Sequence, residues 1–373
     1  MALAVVAAVG GGALNACSSL PASAATVAAA PSPGCSAPTA SSGVGAGSGT
    51  RTVPFQAGGD AGSYLLAVPS PVAADRPLPV VFDLHGYGET AKLQDSITDL
   101  SQFGMDHGFI TVTPQVDHAI PYWDFAPGSA DLAFLGALID DVEATRCVDE
   151  HRVYVAGYSN GAFMTSSLIC RDADRITAVA TVGGIQAPAG CRPGRPVPAI
   201  AFHGTADPFV PYQGGVGSAA MNLPAPSGTG TLGPLIGTPA LVGISPLTAP
   251  IPTEEARWAA RNGCLSTPMT STAAAGVTLV KYRCPADATV ELYREDGEGH
   301  VWPGSPFMTS ITTVVGPTTF AINADHLLWA FFVSHPLSCG CPNAIQVDHR
   351  SGSRRPLCCG RNHLKRIPGQ RAS

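Results

Sequence analysis

A serine stands between two glycines in Gly157-Tyr158-Ser159-Asn160-Gly161, directly after the apolar run Val153–Ala156. A serine hydroxyl is a weak nucleophile until a base takes its proton and the backbone holds it clear of its neighbours. In a G-x-S-x-G turn the flanking glycines remove side chains where a strand reverses into a helix. The serine is then strained, with its oxygen above the sheet. A glycine-rich turn without chemistry has the same composition. Context separates the two: β-forming residues precede this turn and helix formers, Ala162–Cys170, follow it.

A nucleophilic serine needs a base. His300 lies in the glycine-rich stretch Glu295–Gly304, late in the chain and after an apolar strand, which suits the order serine, acid, histidine. His85 precedes the serine and fits that order badly, and His326 falls in a helical pattern and reads as packing. The acid must fix the imidazole tautomer and stabilise its positive form. Asp207 follows the apolar run Val197–Phe202, and Pro208 restricts it to an extended or turn conformation. Asp296, four residues before His300, is the competing acid. An oxyanion needs two backbone N–H donors. Asn160 supplies one at the helix start. Tyr87, in the loop Asp83–Gly88, supplies the other, with His85-Gly86 turning the backbone inward; the bland alternative there is a tight turn. Ser159, Asp207 and His300 with two amides require no metal or organic cofactor.

These residues need a frame. Arg51–Gln56 and Ser63–Ser70 read as a hairpin, and Pro77–Leu84, Gly108–Gln115, Arg152–Tyr158, Ile176–Val182 and Val197–Phe202 read as buried strands. Ser129–Arg146 carries Leu132, Leu135, Leu138, Ile139 and Val142 at helical spacing, with Ser129 or Asp131 as its cap. Thr253–Gly263 is a second helix, Val277–Cys284 and Ala288–Asp296 are strands, and Thr318–Pro336 is a closing helix. Nearly all-apolar strands alternating with helices predict an α/β fold, a mostly parallel doubly wound sheet flanked by helices. Reactive groups in such sheets lie at the carboxyl ends of strands. Residues 214–252, rich in Gly, Pro and Ala and almost uncharged, read as a lid or surface loop.

Composition narrows the function classes. Of 373 residues 45% are apolar and 13% charged, with a net charge of −6, which excludes a disordered chain and a nucleic-acid binder. The apolar N-terminus is too short for a confident membrane span. It reads as a signal peptide over 1–25, with Ala22-Ser23-Ala24 fitting a cleavage site, followed by a flexible linker over 26–50. Cys17 offers a weak match to a lipid-anchor site. The eleven cysteines fit an oxidising compartment. Cys170 with Cys191 and Cys264 with Cys284 are disulfide candidates, and Cys147 is either free or paired with Cys35. Residues 338–373 form a basic, cysteine-containing tail expected to be disordered. Its Cys339, Cys341, Cys358 and Cys359 match no standard zinc spacing.

The stretches Leu84–Thr90, Cys147–Met164, His203–Gly215, Trp258–Cys264 and Gly297–Gly304 together resemble a family of secreted esterases that includes polyhydroxybutyrate depolymerases and feruloyl esterases, with lipoprotein-like esterases of actinobacteria. The resemblance runs over about 51–337. It implies an α/β-hydrolase catalytic domain, the triad Ser159, Asp207 and His300, oxyanion donors Tyr87 and Asn160, a Cys264–Cys284 disulfide, and Trp302 near the substrate. His85 and Trp123 join Trp302 as expected substrate contacts. The implied protein is a secreted, monomeric serine esterase, without nucleic-acid partners, acting on polyesters, oligoesters or short acyl esters. Alternatives are a feruloyl or acetyl-xylan esterase, an acyltransferase using the same triad, and a binding protein on a hydrolase scaffold, which would normally have lost a triad residue.

Overall fold

A computed structural model of the chain describes residues 27–36, 49–70, 75–241, 243–244 and 249–337, and the backbone of two short paired strands at 345–347 and 354–356. The expected signal segment, Cys17 and the cysteines of the tail lie outside the described residues. Its core is a ten-stranded sheet ordered β1-β2-β4-β3-β5-β6-β7-β10-β9-β8. The strands are β1 Gly49–Ala57, β2 Asp60–Val68, β3 Leu78–Leu84, β4 Ile110–Val116, β5 Val148–Tyr158, β6 Ala178–Val182, β7 Ala199–Gly204, β8 Met269–Ala274, β9 Val277–Lys281 and β10 Val290–Glu295. From β4 to β10 neighbours run parallel; the β1–β2 hairpin and the β9–β8 pair extend the two edges antiparallel. With helices on both faces this is an α/β-hydrolase fold.

The central strands are largely apolar because both faces are covered. Val153 and Val155 pack with α3 (Ala130–Thr145), α4 (Asn160–Asp172) and α5 (Ile251–Arg261) through Phe134, Leu138, Leu168 and Trp258. The alternate residues Tyr154 and Ala156 point the other way, onto Ile97 and Leu100 of α1 (Ala91–Thr98) and α2 (Leu100–His107) and Phe331 and Phe332 of α6 (Ala324–Ser334). Period-two alternation thus feeds two cores from one sheet. Ser129 caps α3, accepting from Leu132 N–H at 3.2 Å. No helix among the described residues is long and apolar enough to cross a membrane.

Three disulfides form among the described residues: Cys170–Cys191 and Cys264–Cys284, both foreseen, and Cys35–Cys147. The last docks residues 27–36, read from sequence as flexible linker. Ser32 N–H donates to Val148 O at 2.9 Å, Val148 N–H donates to Ser32 Oγ at 3.0 Å, and Ala30 N–H donates to Asp149 Oδ1 at 2.9 Å. This bridge spans 112 residues of chain. Closing so long a loop restricts the unfolded ensemble most. Replacing Cys35 and Cys147 by alanine is expected to lower unfolding free energy by roughly 2–5 kcal/mol in urea titrations.

Candidate active site

The turn after β5 has the geometry its composition suggested. Ser159 has φ 55° and ψ −117°, a left-handed conformation rare for a residue with a side chain. A Cβ at Gly157 would run into the Gly161 carbonyl, and one at Gly161 would run into the Leu84 carbonyl at the end of β3. Both glycines are therefore required by backbone approaching backbone. Ser159 N–H donates to Val182 O at 2.8 Å, tying the elbow to β6. The serine side chain makes no capping bond to α4, which leaves its hydroxyl available.

Asp207 and His300 meet at the same rim. Asp207 Oδ2 lies 2.7 Å from His300 Nδ1, and Oδ1 accepts the N–H groups of Phe209 and Val210, each at 2.8 Å. Burial alone would raise the Asp207 carboxyl. The adjacent His300, through its charge and hydrogen bond, then His203 and the Val210 amide, outweigh it and hold the pKa below the ordinary value. Nδ1 donating to the carboxylate leaves Nε2 as the bare nitrogen of a neutral His300. His300 is braced by Tyr158, whose hydroxyl donates to His300 O at 2.6 Å and whose ring centroid lies 4.9 Å away. Gly183, at φ 63°, passes so near the imidazole that a Cβ there would sit 2.7 Å from His300 Cε1. Tyr158 precedes the serine and Gly183 follows Val182, so both neighbours of the elbow touch the imidazole. Among the described residues no hydrogen bond joins the Ser159 hydroxyl to His300. The competing acid, Asp296, pairs instead with Arg294 at 2.9 Å.

Sequence reasoning passed over His203. Its Nε2 donates to Val210 O at 2.8 Å and lies 3.4 Å from Asp207 Oδ2, the oxygen that also faces His300, and so braces the acid loop. Burial lowers its pKa, so it stays neutral. A histidine four residues before the acid was the available signal.

The amides of Tyr87 and Asn160 have no hydrogen-bond partner among the described residues, as donors awaiting an oxyanion would. Glu89 Oε2 accepts Gly86 N–H at 2.7 Å and shapes the Tyr87 loop. The Asn160 side chain clamps the next loop, accepting Trp123 N–H at 2.6 Å and donating to Trp123 O at 3.1 Å and Ile244 O at 2.9 Å.

His85, Trp123 and Trp302, expected as substrate contacts, are each 0% exposed and none lines the cleft. Their role here is positional. Trp123 Nε1 donates to His85 O at 3.0 Å, its ring lies 4.7 Å from the His85 ring, and Trp302 Nε1 donates to Asp325 Oδ1 at 2.9 Å. The large flat rings that suggested substrate stacking serve to fill the space beneath the reactive loops.

Buried carboxyls around this layer make stability pH-dependent. Burial pushes Asp83 up to about 7 against its bonds from Gln94 and Thr98, and pushes Asp325 and Glu255 to about 8. Unfolded, these acids release their protons near pH 4. The folded state therefore binds more protons, and stability falls as pH rises through 7–8. Buried His85, lowered to about 4, and His203 act oppositely, but only below about pH 6.5, where an unfolded imidazole is charged. The melting temperature is expected to drop from pH 6.5 to 8.5, and Asp325→Asn, which still accepts from Trp302, to flatten that slope.

A cleft of about 50 Å³ opens beside Ser159, walled by Phe163, Phe209 and Val210 and by Val216, Leu223 and Leu232 of the 214–252 insertion. Tyr87 hydroxyl donates to Pro224 O at 2.7 Å, fastening the insertion to the Tyr87 loop. The insertion carries no periodicity, so nothing in its composition distinguished a cleft wall from a surface loop. No group of three or more His, Cys, Asp or Glu among the described residues could hold a metal.

No protein-family profile matches the chain. Parts of it resemble curated esterases. It is 28% identical over 172 residues to a probable feruloyl esterase C of Aspergillus niger, covering 41% of this chain and 57% of that one. It is 30% identical over 145 residues to the bifunctional acetylxylan esterase/xylanase XynS20E of Neocallimastix patriciarum, covering 39% and 21%. It is 25% identical over 248 residues to feruloyl esterase B of Piromyces equi, covering 63% and 42%. The chain thus spans well under two thirds of each of these relatives. A solved acetyl xylan esterase from Aspergillus awamori superposes on 69% of this chain and 98% of its own, with a TM-score of 0.46 and 15% identity, too distant to bear on function.

Proposed function

We propose that the chain hydrolyses carboxylic esters through an acyl-enzyme on Ser159. The observation that carries this reading is the 2.7 Å Asp207–His300 pair beside a strained serine elbow. As Ser159 Oγ bonds to the ester carbonyl carbon, His300 Nε2 takes its proton and Asp207 steadies the imidazolium through Nδ1–H. The carbonyl electrons move to oxygen, which accepts the N–H groups of Tyr87 and Asn160. The carbon–oxygen bond to the alcohol breaks, and the alcohol leaves with the proton from His300. Water then attacks the acyl-enzyme, giving a proton to the same nitrogen, and the acid departs as Ser159 regains its hydrogen.

The named activities of the relatives support acyl esters of plant polysaccharides as substrates; the sequence resemblance to polyester depolymerases supports short hydroxyacyl units. The narrow apolar cleft favours a short acyl group in either case. The three disulfides and the leader-like N-terminus support an extracellular protein. The test is a panel of p-nitrophenyl acetate and butyrate, methyl ferulate, acetylated xylan and a polyhydroxybutyrate film. The expected kcat/KM for the short esters exceeds that for methyl ferulate by about tenfold or more, the discrimination a tight apolar pocket provides. Equal or better turnover of methyl ferulate would overturn the short-acyl reading, and inertness toward all five would overturn ester hydrolysis.

A further inference from the structure

A second cavity, of about 670 Å³, lies between α3, the end of α4 and the loop 186–196. It falls within the size range of small-molecule sites. Its walls are apolar, from Phe125, Leu132 and Pro188. Two cations, Arg171 and Arg192, line it, and no carboxylate does. In a chain of net charge −6 that is an unusual lining.

The cavity is built to be rigid. The Cys170–Cys191 disulfide joins α4 to the loop and forms part of the lining. Arg171 is held in place: its Nη1 donates to Leu132 O at 2.8 Å, and its guanidinium lies against α3 at Gly136, where a Cβ would come within 3.0 Å of Cζ and Nη2. The nearest acid on its own element, Asp172, lies 3.7 Å from Nε and outside the lining. Half of the Arg171 side chain, 49%, remains exposed, and Arg192 stands exposed on the loop. A second recess of about 310 Å³ continues from Cys191 and Arg192 to Arg195 and Arg261, so positive charge extends beyond the rim.

We propose that this cavity binds an organic carboxylate with an apolar body, its acid group against Arg171 and Arg192 and its body against Phe125, Leu132 and Pro188. A guanidinium matches a carboxylate with two parallel hydrogen bonds, and the walls bury the apolar part. The site is separate from the cleft at Ser159. Phe125 lines the cavity, Phe163 lines the cleft, and their rings pack at 5.7 Å as the wall between them. The cavity takes such an acid whether or not Ser159 turns over esters.

The test is calorimetric titration of 3-phenylpropionate, its neutral amide 3-phenylpropionamide, and acetate, which has the charge without the body. The expected result is binding of 3-phenylpropionate about tenfold or more tighter than either comparison compound, the size of effect a charge-assisted hydrogen bond or a buried ring provides. Arg192→Gln, on an exposed loop, is expected to weaken it by a similar factor with an unchanged melting temperature. Arg171→Gln should do the same, and Ser159→Ala should leave the affinity unaltered. Equal binding of acid and amide, wild-type affinity in Arg192→Gln, loss of binding in Ser159→Ala, or no binding up to about 10 mM would each overturn the proposal.

Discussion

Ser159→Ala is expected to reduce kcat for p-nitrophenyl butyrate on the order of 10⁴- to 10⁶-fold, the range found when a serine nucleophile is removed from a triad. The loss should be confined to chemistry. Ser159 makes no side-chain cap to α4, and its N–H bond to Val182 survives in alanine. The strained φ of 55° costs alanine about what it costs serine. Melting temperature and binding of unreactive ester analogues should therefore stay near wild type. A residual rate above water is expected from the Tyr87 and Asn160 amides acting alone. Activity within tenfold of wild type would remove Ser159 from the mechanism.

Asp207→Asn is expected to lower kcat about 10⁴-fold, nearly as much. The carboxylate is fully buried and holds three hydrogen-bond partners: His300 Nδ1 through one oxygen, the Phe209 and Val210 amides through the other. An asparagine can keep the two amide bonds through its carbonyl oxygen, so the loop should survive. Its NH₂ then faces His300 Nδ1 and forces that nitrogen to accept. The proton moves to Nε2, the atom that must be bare to take the serine proton. The expected signature is a collapse of kcat with little change in KM. His203→Gln, which disturbs the acid loop through Val210 O and through its 3.4 Å approach to Asp207 Oδ2 but keeps the His300 and amide bonds to Asp207, should cost far less. Equal losses in the two variants would mean that the loop, and not the charge on Asp207, carries the effect.

The parts of this architecture with periodic apolar patterns could be read in advance. Strands β3 to β7 are buried over most of their length on both faces, and their runs of apolar residues report that directly. The hairpin β1–β2 and the helices α3 to α6 carried comparable signals. Helices α1 and α2 did not. They are short, rich in Gln, Asp and Ser, and joined through Asp99 in a left-handed conformation, so tertiary packing of Ile97 and Leu100 has to supply what pattern does not. Strand β8, Met269–Ala274, is exposed along nearly its whole length and forms because β9 offers it an edge.

At the site, residues whose chemistry depends on a single functional group were legible. Ser159, Asp207 and His300 stood out through glycine, proline and strand-end context; the structure sets Asp207 2.7 Å from His300 and ties the Ser159 elbow to Val182, the residue before the glycine that approaches the imidazole. Residues defined by shape were not. Trp123 and Trp302 looked like contact surfaces because sequence records a ring but not which side of a loop it lies on. The insertion became a cleft wall through bonds to backbone carbonyls, Pro224 O and Ile244 O, which any residue could supply. Long-range backbone acceptors leave no trace in composition.

The central claim is that Ser159 is activated by His300, and the measurement closest to it is site mapping of a fluorophosphonate adduct by peptide mass spectrometry. The expected result is one phosphonyl group per chain, on the peptide containing Ser159, with labelling reduced at least about a hundredfold in His300→Ala. An intact, folded chain that takes no label, or takes it on another serine at the same rate with and without His300, would contradict the account.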